Sequence, residues 1–116
     1  MNHFNKDNAL ELLDGDEELL EILLDAFLET EFSEEKLYGF IDSHNYAEGA
    51  SYVHKVKGAA RQLAMEKLKN IGQVLEDFFR GKNTECGKDI KELAAEFADE
   101  YKESFREVKM FLSAKN

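Results

Sequence analysis

The sequence predicts an all-α fold: an antiparallel up-down-up-down four-helix bundle with a short extra helix at its N-terminal end. Three observations predict it. Proline is absent, alternating strand-like runs are missing, and the longer segments are dominated by Ala, Leu, Glu and Lys with apolar positions at three- and four-residue steps. At 116 residues, 43% of them hydrophobic, the chain has the length of one domain that buries a core without staples, so residues 1–116 are read as a single bundle domain.

A short first helix is expected over residues 7–13, closed by Gly15, with Asp16 placed to cap the next helix and Glu17 and Glu18 favourable in its first turn. That second helix reads as one long element. Its apolar residues run from Leu19 and Leu20 through Leu23, Leu24, Phe27, Leu28 and Phe32 to Leu37, Phe40 and Ile41, and the pattern breaks at residues 42–45. Asn45 followed by Glu48 has the form of a capping box, opening a third helix with Tyr46, Ala50, Val53, Val56, Ala60 and Leu63 on its inner stripe. A fourth starts near Glu66, turns Leu68, Ile71, Leu75 and Phe78 or Phe79 inward, and stops at Gly81. A fifth takes the remainder, with Ile90, Leu93, Ala94, Phe97, Tyr101, Phe105, Val108 and Leu112 inward and charged residues opposite.

Charge excludes whole classes of partner. The net charge of −10, from 25 acidic and 15 basic side chains, would repel nucleic acid and anionic membrane over most of the surface. No stretch approaches the roughly 18 uninterrupted apolar residues of a spanning helix, and the first residues lack a basic start followed by an apolar run. Cys86 is the only cysteine, so no internal disulfide can form; a reducing, cytoplasmic location is the expectation. The positive charge is concentrated in one place. Residues 51–70 hold five basic side chains (Lys55, Lys57, Arg61, Lys67, Lys69) against the single acid Glu66.

That basic island contains His54. At about 100° per residue the imidazole falls one step off the Val53 and Val56 stripe, toward solvent, among Ala50, Ser51, Lys57 and Gly58. A free imidazole titrates near pH 6.5 and is largely a neutral nucleophile in a neutral medium. A phosphoryl group on it would bring roughly two negative charges, which a lysine at the following turn, Lys57, can screen. Lys55 points about 100° away and contributes only to the general field. Glycine inside a helix costs roughly 0.5–1 kcal/mol relative to alanine, so Gly58 calls for another reason, close approach of a partner beside His54 or close helix packing.

The run His54-Lys55-Val56-Lys57-Gly58-Ala59-Ala60-Arg61-Gln62-Leu63 resembles the signature of histidine-containing phosphotransfer (HPt) domains, His-x-(Leu/Ile/Val)-Lys-Gly-x-(Ser/Ala)-x-x-(Leu/Ile/Val)-Gly. His54, Val56, Lys57, Gly58, Ala60 and Leu63 match in register, and the helix order agrees over most of the chain. The resemblance implies a phosphorelay role in two-component signal transduction. In it His54 is the phosphoacceptor, Lys57 stabilises phosphoryl charge, and Gly58 gives access to the partner. The partners it implies are response-regulator receiver domains or a hybrid sensor histidine kinase, with Mg²⁺ expected on the receiver and no cofactor on this chain. One position departs: Ala64 stands where the family usually has a second glycine, at the turn after the third helix.

The sequence holds neither Gly-x-x-x-x-Gly-Lys-Ser/Thr nor Gly-x-Gly-x-x-Gly, so self-phosphorylation from ATP is not expected of this phosphocarrier. Met1 and the lack of other domains fit a free-standing carrier, with an excised piece of a hybrid kinase as the alternative. Two rival functions stand beside phosphotransfer. An adaptor that binds receivers without taking phosphate would look alike around His54. A metal-binding bundle is disfavoured because His3, His44, His54 and Cys86 lie in separate elements without Glu-x-x-His or His-x-x-x-His spacing, so no metal ligands are assigned.

Overall fold

The computed structural model describes residues 3–82 and 87–114, and Cys86 lies outside them. Among the described residues the secondary structure is six helices and no strand: α1 (Lys6–Leu12), α2 (Glu17–Leu28), α3 (Glu34–Asp42), α4 (Tyr46–Gln62), α5 (Glu66–Phe79) and α6 (Ile90–Ala114). None of them is long and apolar enough to cross a membrane.

The starts of α1 and α2 follow the capping chemistry. Asn5 caps α1 by accepting from the Asn8 N–H at 2.9 Å, and Asp16 caps α2 by accepting from the Leu19 N–H at 3.0 Å. The expected capping box of α4 does not form: Asn45 occupies the N-cap position, but its side chain makes no cap hydrogen bond. The backbone N–H that Glu48 would reach is already given to the Phe40 carbonyl at 2.9 Å, in a turn that closes α3 with His44 at φ +59°.

The single long second helix is corrected to two, α2 and α3, separated by residues 29–33. A second cap lies inside the periodic run. Ser33 accepts from the Lys36 N–H at 3.3 Å, and Glu34 and Glu35 follow in the first turn of α3. Distant tyrosines satisfy the backbone freed by the break: the Tyr52 hydroxyl accepts from the Ser33 N–H at 2.7 Å and donates to the Glu31 carbonyl at 3.1 Å, while Tyr101 donates to the Thr30 carbonyl at 3.0 Å. Phe32 fills the corner, its ring 4.6 Å from that of Tyr101 and 5.6 Å from that of Tyr52.

Buried residues from every helix join one cluster built around Phe4, Leu20, Leu24, Phe27, Leu37, Val53, Val56, Leu68, Leu75 and Phe97. α4 and α5 pack most extensively, with α6 against α5 and with α2 and α3 bridging α4 and α6. Two glycines allow this closeness. A Cβ on Gly49 would lie 2.6 Å from the Phe79 ring, and one on Gly72 would lie 3.1 Å from the Phe97 ring and 3.3 Å from the Lys57 Cβ. Of the two aromatic candidates ending α5, Phe79 is buried and Phe78 packs at the margin.

The polar face of α6 departs from expectation. Glu100, Ser104 and Glu107 are buried, and the segment at His3 and Phe4 lies across the two carboxylates. Glu107 Oε1 accepts from the N–H groups of His3 at 3.0 Å and Phe4 at 2.8 Å. Burial alone would raise the Glu107 pKa, but these two N–H groups hold it below the usual carboxylate value.

Candidate functional site

His54 stands on α4 with its side chain 57% exposed, as its place beside the apolar stripe predicts. Its Nδ1 is 3.1 Å from Glu76 Oε1 and 3.2 Å from Oε2, across the α4–α5 interface. Glu76 is therefore the residue that holds the imidazole. The carboxylate is buried between Leu75 and Phe79 on the inner side of α5, where three cationic or N–H donors surround it. Besides His54 these are Lys57 Nζ at 2.8 Å from Oε1 and Arg80 Nε at 2.9 Å from Oε2.

Burial pushes the Glu76 carboxyl up, and hydrogen bonds from Lys57, Arg80 and His54 more than reverse this, holding it at about 2. Glu76 is thus ionised at neutral pH and can only accept. Nδ1 must then carry a proton, and in the neutral ring the lone pair is left on Nε2, the nitrogen away from Glu76. The tautomer follows from the charge of the partner.

Lys57 lies one turn after His54, as its spacing requires, but its ammonium is not a solvent-facing cation. The side chain is 5% exposed, and Nζ bonds Gln73 Oε1 at 2.9 Å as well as Glu76. Gln73 in turn donates to Asp77 Oδ1 at 2.9 Å, so a connected network runs from the imidazole through Glu76 and Lys57 to Gln73 and Asp77. Gly72 makes room for the stem of Lys57.

Close helix packing does not account for Gly58. A Cβ built on it would meet nothing within 4 Å, so helix packing does not require this glycine, whereas Gly49 and Gly72 are the packing glycines. The surface beside His54 at Gly58 is open. Of the basic island, Lys69 pairs with Glu66 at 2.8 Å, while Lys55, Arg61 and Lys67 are exposed and make no ion pair among the described residues.

Ala64 adopts φ +56°, a left-handed conformation that glycine takes without steric cost. The turn around it is formed in full: the Met65 N–H bonds the Ala60 carbonyl at 2.9 Å, and the Ala64 N–H bonds the Arg61 carbonyl at 3.3 Å. Ala64 therefore sits in a fully hydrogen-bonded turn into α5 at the cost of conformational strain.

Sequence reasoning missed Glu76, Gln73 and Arg80. One signal was available: Glu76 falls four residues after Gly72 and three before Phe79, in register with inward positions of α5, which is unusual for a carboxylate without buried partners. Two of its three partners lie on α4, Lys57 and His54 being 19 and 22 residues away, beyond any helical periodicity, while Arg80 follows at i+4.

No curated protein and no solved structure matches the chain. A family model described as Hpt domain matches residues 10–103, which covers every element from α2 to α5 and most of α6. The chain therefore belongs to the Hpt domain family, the helical phosphotransfer bundles of two-component signalling that engage receiver domains and kinases.

Proposed function

We propose that the chain carries a phosphoryl group on His54 Nε2, exchanging it with the aspartate of a response-regulator receiver or of a hybrid sensor kinase. The observation that supports this most directly is the exposed imidazole whose Nδ1 is held by an ionised, buried Glu76. In the forward step the Nε2 lone pair attacks the phosphorus of an aspartyl phosphate in line. The N–P bond forms as the P–O bond to the aspartate breaks, and the electron pair leaves on the aspartate carboxylate. Nδ1 keeps its proton throughout, so the positive charge that develops on the ring faces the Glu76 carboxylate, which is already in place and need not reorganise.

Lys57 serves this reading by balancing Glu76 Oε1, the same oxygen that faces the imidazole, and so adds positive potential on the His54 side of the α4–α5 interface. Gly58 keeps the approach open for the receiver. The divalent ion of the transfer, Mg²⁺, belongs on the receiver, because the carboxylate of this site, Glu76, is committed to Lys57, Arg80 and His54. With no nucleotide loop in the sequence, the phosphoryl group comes from a partner and not directly from ATP.

The test is transfer from a panel of radiolabelled, phosphorylated receivers in the presence of Mg²⁺. Wild-type chain should acquire acid-labile, alkali-stable label from at least one receiver, and His54→Gln should acquire none while keeping its helicity. Equal behaviour of the two toward a receiver that demonstrably binds would replace the carrier by a receiver-binding adaptor.

A further inference from the structure

The flank of α6 against which the N-terminal segment lies carries a second constellation that the phosphotransfer site does not use. His3, Glu103 and Glu107 each bring one ligand atom to a common point, all within 4.8 Å of one another. His3 is oriented there by Glu100, whose Oε2 lies 2.6 Å from Nδ1. That leaves Nε2 turned toward Glu107 Oε2 at 3.9 Å, beyond hydrogen-bond reach.

Each carboxylate has one oxygen engaged by the protein and one left over. Glu107 uses Oε1 for the N–H groups of His3 and Phe4. Glu103 uses Oε2 for Nε and Nη2 of Arg106, at 3.1 and 2.7 Å. A free imidazole nitrogen backed by a carboxylate on the other ring nitrogen, together with two monodentate carboxylate oxygens, matches the donor set and outer-shell support of a protein-bound transition metal.

Ligands about 2.0–2.2 Å from a tetrahedral ion stand roughly 3.4 Å apart, so the 3.9 Å gap between His3 and Glu107 needs only a small side-chain adjustment to close. Among the described residues neither Glu100 nor Glu107 forms an ion pair with a lysine or arginine, while the third carboxylate, Glu103, pairs with Arg106 through Oε2 alone. Ser104 is fully buried, and its Oγ is the one buried side-chain polar atom with no hydrogen-bond partner among the described residues. It stands four residues after Glu100 and three before Glu107, on the same face of α6.

We propose that His3, Glu103 and Glu107 form a binding site for a divalent first-row metal ion of the Zn²⁺ class, which clamps the N-terminal segment onto α6. Imidazole nitrogen with carboxylate oxygen suits zinc and its neighbours better than calcium or magnesium, which prefer all-oxygen shells. The site is independent of His54 chemistry.

The test uses the tag-free full chain titrated with Co²⁺ and then Zn²⁺. Wild type should take up one Co²⁺ per chain with the visible absorption of a four-coordinate site, lose that absorption on addition of Zn²⁺, and melt at a higher temperature in saturating Zn²⁺. His3→Gln and Glu103→Gln, which leave the Glu107 backbone hydrogen-bond acceptor in place, should each weaken binding by at least about tenfold and cancel the rise in melting temperature. His54→Gln should bind like wild type. Absence of saturable uptake, or uptake unchanged by His3→Gln, would overturn the proposal.

Discussion

At His54 the chemistry is set by which ring nitrogen is occupied, and that depends on Glu76. Replacing the carboxylate by an amide of nearly the same shape removes the obligatory acceptor, because an amide can present either a donor or an acceptor to Nδ1. Glu76→Gln is therefore expected to slow phosphotransfer by roughly 10- to 100-fold while the helical circular dichroism persists, with ¹⁵N imidazole shifts reporting a mixed tautomer population. A variant that transfers at the wild-type rate would deny Glu76 a positioning role. Ala64 supplies a prediction of opposite sign. Its φ of +56° costs a residue with a Cβ roughly 1 kcal/mol, so Ala64→Gly should raise stability by about that much in denaturant melts without altering transfer. The HPt-like signature made His54 and Lys57 legible, but not the burial of the Lys57 ammonium against Glu76 and Gln73. Helical spacing fixes the direction in which a side chain leaves the backbone and not what waits for it on the next helix.

Between elements, the α4–α5 hairpin assembles the site, and its glycines divide by role. Gly49→Ala would drive a Cβ into the buried Phe79 ring and should destabilise the chain by about 1–3 kcal/mol, less the small gain in helix propensity. Gly58→Ala meets nothing within 4 Å and should be neutral or stabilising by up to about 1 kcal/mol. If Gly58 is there for a partner, the same substitution should weaken receiver binding. Parallel melts and receiver titrations of the two variants separate packing from access, and a Gly58→Ala protein that binds receivers as well as wild type would remove that role. The split of the expected second helix into α2 and α3 is the main difference between sequence pattern and structure. Its cap at Ser33 was visible in the sequence, but the apolar period ran through it. Whether the chain continues as helix or breaks there depends on acceptors and donors from Tyr52 and Tyr101, which lie on α4 and α6.

Over the whole molecule, a buried ionised carboxylate makes stability depend on pH. The Glu76 pKa falls from 4.5 in the unfolded chain to about 2 when folded, so its contribution is fully present above about pH 5 and is lost as pH drops toward 2. The shift corresponds to roughly 3 kcal/mol at most. Glu107, lowered by backbone N–H donors, acts in the same direction. Chemical denaturation across this acid range should show a steep loss for wild type and a shallower one for Glu76→Gln; parallel slopes would show that Glu76 is not the group responsible. The sequence by itself determined the helical class, most helix boundaries, the exposure of His54 and the clustered positive charge around it. Those properties arise from relations among residues within about four positions of each other, which any single sequence displays. Only the tertiary structure decided that Glu76 and Arg80 join His54 and Lys57, that Tyr52 and Tyr101 satisfy the break before α3, and that His3 reaches Glu100 and Glu107 across the length of the chain. Apart from the Glu76–Arg80 pair at the end of α5, these contacts join residues far apart in sequence. They form because burying the apolar stripes brings particular polar side chains together, and no local period records which ones meet.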